Sequence, residues 1–272
     1  DNVYRLVAFE DYIGGRPYCD VIEVVNGDEN ILENFLDKKY DFHIIQGKKD
    51  LESIKGTEYY EHFYPQDVLG TNYLGFNLDS NSQYIKKEVR QAISHAINKE
   101  RIIEEYYGEL ATSAKCIVPP ELISSDRLVE LEYSPNKAQD ILRREKIDFS
   151  KPINVLLRGK EPSRIMKLVE EDLEAIGIKV NYVPQNSNNT YDLFEYGWFA
   201  DVKEPSAFIK PLFLPDSESN LCNYRNEEVV KLLEMASQAT NPMKRMELYE
   251  NVQRIIHEDI VVIPLLHPRI GV

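Results

Sequence analysis

The chain is poor in cysteine, has fewer basic than acidic residues and lacks long apolar runs, and each of these removes a class of function. Cys19, Cys116 and Cys222 stand alone, without a C-x-x-C pair and without histidines at metal-ligand spacing, so neither a disulfide framework nor a zinc site is expected. No metal and no cofactor is assigned. Lys and Arg total 32 against 46 Asp and Glu, a formal charge of −14 that repels a phosphate backbone and disfavours anionic membranes. Nucleic acid is therefore not an expected partner. No apolar run reaches the roughly eighteen residues of a membrane span, and the residues from Asp1 onward carry neither the basic nor the apolar region of a signal segment.

Catalytic patterns are missing too. The chain has no H-E-x-x-H, no G-x-S-x-G and no phosphate-binding glycine loop. Glu170, Glu171 and Asp172 cluster, as do His257, Glu258 and Asp259, but both groups fall on predicted helices, where adjacent side chains diverge and make no facing acid-base pair. His257 reads as a helix C-terminal residue interacting with the dipole, and His43, His62, His95 and His267 as structural. The expectation is a protein that is not an enzyme.

What is present is a core-forming chain of 272 residues, 43% of them hydrophobic, long enough for one large or two modest domains. Strands are predicted at residues 21–25 and 40–45 around a short helix at 30–36, a β-α-β unit. Val89, Ala92, Ile93, Ala96 and Ile97 recur at helical period over 86–97, Asn98 caps a second helix to Tyr107, and Gly108 ends it. Ser134 and Pro135 open another helix as N-cap and first residue. A strand at 155–158, a helix from about Pro162 that stops at Gly177, and a strand at 178–183 lead to a polar loop at 185–190. Helices at 226–237 and 241–257 close the order. Alternation of this kind predicts an α/β fold.

The run YDLFEYGWFADVKEPSAFIKPLF, residues 191–213, is the most informative stretch. Residues 191–200 lack polar alternation and read as a strand covered on both faces, as in a parallel sheet. The strand ends at a lone carboxylate, Asp201, and Pro205 suits the first turn of a following helix. Ligands of open α/β sheets collect beyond the carboxyl ends of strands, where Asp201 would meet a ligand ammonium.

Gly197, Trp198, Ala200, Asp201 and Pro205 spell G-W-x-A-D-x-x-x-P, which resembles the bacterial extracellular solute-binding proteins of family 5, the dipeptide and oligopeptide receptors of ABC transporters. Further motifs follow in family order. DYIGGRPYCD at 11–20 looks like "DYWGGRPxLD", and YLGFN at 73–77 is similar to the crossover strand. VRQAISHAINKERII at 89–103 resembles "VRQALxxAIDRxxII", SPNKAQDIL at 134–142 "DPxKAxxLL", and EDLEAIGIKV at 171–180 "xxLxxIGIxV". Residues 245–264 follow the closing helix and "xxIPL" strand.

The resemblance implies a two-lobed periplasmic-binding-protein type II architecture of which this chain supplies one near-complete lobe and part of the other. Residues 1–72 belong to the partial first lobe, 73–261 to the second, and 262–272 return to the first. The hinge crossings fall near 73–77 and 261–265. The pattern begins well inside the family's, so the first lobe is expected to bare apolar surface, and the chain by itself to bind ligand weakly or not at all.

The implied function is the substrate-binding component of a peptide importer, closing on its ligand without chemistry and presenting it to a membrane permease. Its expected setting is extracytoplasmic, as a surface lipoprotein or in the periplasm, and its expected state monomeric. The resemblance assigns the ligand ammonium to Asp201, main-chain pairing to Gly197, Trp198 and Phe199, a pocket wall or core place to Trp198, and cleft or hinge places to Tyr73 and Asn77. Some members hold a ligand carboxylate with an arginine two residues before the motif glycine; Glu195 stands there instead. Two alternatives stay open, a family 5 receptor for a metal chelate or sugar, and a ligand-sensing domain of a transcription regulator.

Overall fold

The computed structural model describes residues 2–185 and 190–271. The expected loop at 185–190 therefore falls mostly outside the described residues. Two compact units result, one of residues up to Ile45 and one of Gln46–Gly271.

In the first unit β1 (Asn2–Val7) and β2 (Val21–Asn26) form an antiparallel ladder, followed by α1 (Ile31–Leu36). The expected β-α-β unit is not formed. A strand needs a neighbouring ladder, and residues 40–45 supply only an isolated bridge at Ile45, while residues 2–7 take the place beside β2. Asp28 organises the segment after β2. Its carboxylate accepts from Tyr40 Oη and Asn34 Nδ2, both at 2.7 Å, and these bonds hold its carboxyl below the usual carboxylate range. Apolar side chains in this unit stay uncovered, Ile13 and Tyr18 completely.

The second unit runs α2 (Lys48–Ile54), β3 (Pro65–Asp67), β4 (Gly70–Phe76), α3 (Lys87–Ala96), α4 (Lys99–Tyr106), β5 (Ala111–Ser113), α5 (Pro135–Arg144), β6 (Ile153–Leu157), α6 (Arg164–Ala175), β7 (Val180–Pro184), β8 (Leu193–Phe199), α7 (Ser206–Phe213), α8 (Glu227–Gln238), α9 (Pro242–Glu258) and β9 (Val262–Gly271). Its helices start where local chemistry places them. Asn98, Ser163, Asn226 and Asn241 each accept a hydrogen bond from a first-turn N–H with their side-chain oxygen. Ser134 does not cap with its hydroxyl; its N–H instead bonds His95 O at 2.7 Å. Gly177, at φ +91°, turns the chain out of α6 through the left-handed region.

Among the described residues seven strands form one sheet in the order β3-β9-β4-β8-β6-β7, with β5 also on β9. It is mixed rather than parallel. The parallel pairs are those of β6 with β7 and with β8, and β4 pairs antiparallel with both β8 and β9. Two apolar cores lie on the sheet. One gathers α3, α5 and α6 around Phe76, Ile93 and Leu173; the other gathers α7, α8 and α9 around Phe194, Phe208 and Val252.

Buried charges in this unit are spent on the main chain. Arg90, at the start of α3, donates from Nε to Ile260 O at 2.8 Å, from Nη2 to Asp259 O at 2.5 Å and from Nη1 to Ile85 O, clamping the turn between α9 and β9. Asp172, in the acidic cluster of α6, accepts from Asn98 N at 2.8 Å and pairs with Arg101 at 3.3 Å, so that cluster anchors α4. His257 is not a free helix-end residue: its Nε2 meets Val129 O at 2.7 Å.

Replacing Arg90 with Met strands buried carbonyls and removes charged hydrogen bonds worth about 1.5–3 kcal/mol each, so stability should fall by roughly 2–4 kcal/mol, read as a lower urea midpoint. Burial also holds the imidazoles of His257 and His267 below their usual range. The unfolded chain therefore takes up protons first, and the stability these residues contribute is complete above pH about 6.5 and is lost as pH falls through the lower folded values. The urea midpoint should drop between pH 7 and 5, with a shallower slope in His267→Gln.

Candidate functional site

β8 carries the motif residues, and its pairing decides which of its groups are free. The Ala200 N–H donates to Leu69 O at 2.8 Å and the Asn77 N–H to Asp192 O at 2.9 Å, bracketing the β4–β8 ladder. In an antiparallel pair the inward-bonding residues alternate, so Phe194, Tyr196 and Trp198 bond toward β4. The N–H and C=O groups of Glu195, Gly197 and Phe199 point the other way. On that side β6 is in register with β8 only at Val155 and Leu193, and no described strand there pairs with residues 195–199. The result is a free, outward-bonding strand edge.

Burial fades along the strand: Leu193 and Phe194 are enclosed, residues 195–198 are half-buried, and Phe199 is 57% exposed. The expectation of a strand covered on both faces holds only for its first half. Trp198 packs against the second core, and its Nε1 donates to Ala207 O at 2.8 Å, tying the strand to α7. Gly197 keeps the neighbourhood of the free edge low. A Cβ there would come 3.1 Å from Asn72 Oδ1 and 3.3 Å from the Phe199 ring.

Asp201 lies two residues past the end of β8, exposed, in the turn that leads to Pro205 and α7. The structure thus brings Gly197, Trp198, Phe199 and Asp201 together on one strand and its exit. Tyr73 and Asn77 are placed elsewhere. Tyr73 is 2% exposed, edge-on to Phe194 and Tyr196, and burial pushes its phenol well above the usual range. Asn77 is 5% exposed and spends its amide on Tyr191 O, Asp79 N and Asn223 Nδ2. Both support β8 from behind.

Two further residues flank the free edge. Arg158, just after β6, holds its guanidinium carbon 3.9 Å from the centre of the Tyr196 ring. Glu195 accepts a hydrogen bond from Ser163 Oγ, the N-cap of α6. Burial raises the Glu195 carboxyl above the usual range, with the Ser163 bond and then the Arg158 charge acting against it. In the sequence Glu195 shows only as a departure from a motif, and the one signal of Arg158 is its position at the carboxyl end of a predicted strand.

A family model described as "Bacterial extracellular solute-binding proteins, family 5 Middle" matches residues 1–220. "Heme-binding protein A" of Haemophilus influenzae is 28% identical over 98% of this chain and 52% of its own length. "Peptide transport periplasmic protein SapA" of the same organism is 28% identical over 75% of this chain and 40% of its own length. The chain spans about half the length of the curated relatives it matches. Among solved structures, the ABC transporter substrate-binding protein CtaP of Listeria monocytogenes superposes with a TM-score of 0.83 at 21% identity, covering 99% of this chain and 58% of that one. The fold is that of periplasmic binding proteins of type II, and the chain belongs to the bacterial extracellular solute-binding proteins of family 5.

Proposed function

We propose that the chain is part of the substrate-binding component of a peptide ABC importer, which holds an extended peptide along the outer edge of β8 and passes it unchanged to a membrane permease. The observation that carries this reading is the set of outward main-chain groups at Glu195, Gly197 and Phe199, ending at the exposed carboxylate of Asp201. An extended peptide satisfies those groups whatever its side chains, which gives affinity without strict sequence selection. Asp201 takes the peptide α-ammonium in a charge-assisted bond that contributes about 1.5–3 kcal/mol when closure desolvates it. Trp198, hydrogen-bonded to α7, is the rigid wall beside the edge, and Tyr73 and Asn77 hold the strand in place.

In the whole receptor residues 1–72 form part of one lobe, 73–261 the other, and 262–272 return to the first. The crossings at 73–77 and 261–265 act as the hinge. This is supported by their lying side by side, with Tyr73 opposite Pro264 and Gly75 opposite Val262. The receptor works outside the cytoplasm as a monomer, as a lipoprotein or free in the periplasm.

A second reading, a non-peptide solute such as haem, is favoured by the name of one relative that matches nearly the whole chain. Calorimetry on the whole protein separates the two. Short peptides with a free amino terminus should bind, and Asp201→Asn should weaken them at least tenfold while the thermal midpoint is kept. N-acetylation of the peptide should cost a similar factor. An unchanged dissociation constant in the variant removes Asp201 as the anchor, and binding of haem with no peptide binding establishes the second reading.

A further inference from the structure

Glu195 is a half-buried acid with no cation of its own. Among the described residues its carboxylate meets one hydrogen-bond donor, Ser163 Oγ, and no Lys, Arg or His lies within ion-pairing distance. Ser163 is itself fixed, because its Oγ accepts from Met166 N at 2.9 Å as the cap of α6. The carboxylate is thus held in one place beside the free edge of β8. Arg158 does not neutralise it directly. That guanidinium rests on the ring of Tyr196, and successive strand residues point to opposite faces, so Tyr196 and Glu195 stand on opposite sides of the sheet.

A carboxylate taken partly out of water with no ion-pair partner is unfavourable, and burial raises its pKa although the Ser163 bond and the more distant Arg158 charge act the other way. A cation delivered by a ligand would relieve that cost. Strand pairing fixes where the cation must come from. The residue of a paired peptide directly opposite Glu195 projects its side chain on the same face, at cross-strand contact distance. The exposed charge of Arg158 on the other face is screened by water, whereas the Glu195 carboxylate is shielded, so the acid discriminates more strongly between ligands.

We propose that Glu195 selects a basic side chain, lysine or arginine, at the one peptide position that lies opposite it, making basic peptides the substrate class of this receptor. The inference rests on the reading of the β8 edge as the peptide-pairing strand. It assigns to the motif position a charge preference opposite to that of an arginine there.

A lysine scan on the whole protein tests it. Six-residue peptides of alanine and serine carry a single lysine moved from position 2 to position 6, and calorimetry compares each with the lysine-free parent. One position should bind about tenfold tighter than the parent. Glu195→Gln should remove the difference between the favoured lysine peptide and the parent. A ligand-side control needs no variant: acetyl-lysine at the preferred position should lose the gain in the unaltered protein. Parent binding with no favoured lysine position, or a gain that survives both acetylation and Glu195→Gln, overturns the role of Glu195 and leaves the peptide reading intact. Failure of every peptide, parent included, overturns the peptide reading and this inference with it.

Discussion

Because the β4–β8 ladder is bracketed by the bonds from Ala200 to Leu69 and from Asn77 to Asp192, the direction of every main-chain group in β8 is decided. A slip of one residue would turn Gly197 and Phe199 inward and present Tyr196 and Trp198 at the open side instead. Register is held by burial at one end, where Leu193 and Phe194 are enclosed, and at the other by the Trp198 bond to Ala207. Gly75 permits the close approach. A Cβ there would overlap the Phe194 ring at 2.2 Å, so the ring of one strand occupies space that the opposing residue leaves empty.

The free edge exists because β6 and β8 diverge after Leu193, and a buried acid marks the point of divergence. Asp192, 1% exposed, accepts from Asn154 N at 2.9 Å and from Ser80 Oγ at 2.5 Å, joining the strand that precedes the split to β6 and to the turn after β4. Arg90 and Asp172 follow the same pattern, each binding main-chain groups where two elements meet. In this protein buried charges locate chain crossings. Charge beside the proposed ligand path is of another kind: Asp201 is exposed and Glu195 half-buried, both with capacity left for a guest.

Much of this was legible in the sequence wherever local chemistry acts alone. Asn98, Asn226 and Asn241 marked helix starts correctly because a cap needs only its own first turn, and Gly177 marked a stop for a similar reason. The family motifs gave the fold, since their order spans the chain. Residues 40–45, in which Tyr40, Phe42 and Ile44 alternate with Asp41 and His43, carry a strand pattern but become a strand only if a partner is adjacent, and the partner of β2 is residues 2–7. The aromatic run in β8 read as enclosed because hydrophobicity does not reveal which neighbour is missing. The edge itself was invisible for the same reason, although the turn that exposes Asp201 was foreseen from the strand, the acid and Pro205.

The ladder between β4 and β9 joins segments far apart in the chain; Thr71 and His267, in contact at 3.0 Å, are separated by 196 positions. A sheet whose middle depends on so distant a closure gathers its partners late, since loop entropy must be met before the contacts reward it. Until β9 docks, one side of β4 lies open and the Arg90 guanidinium has no turn to grip.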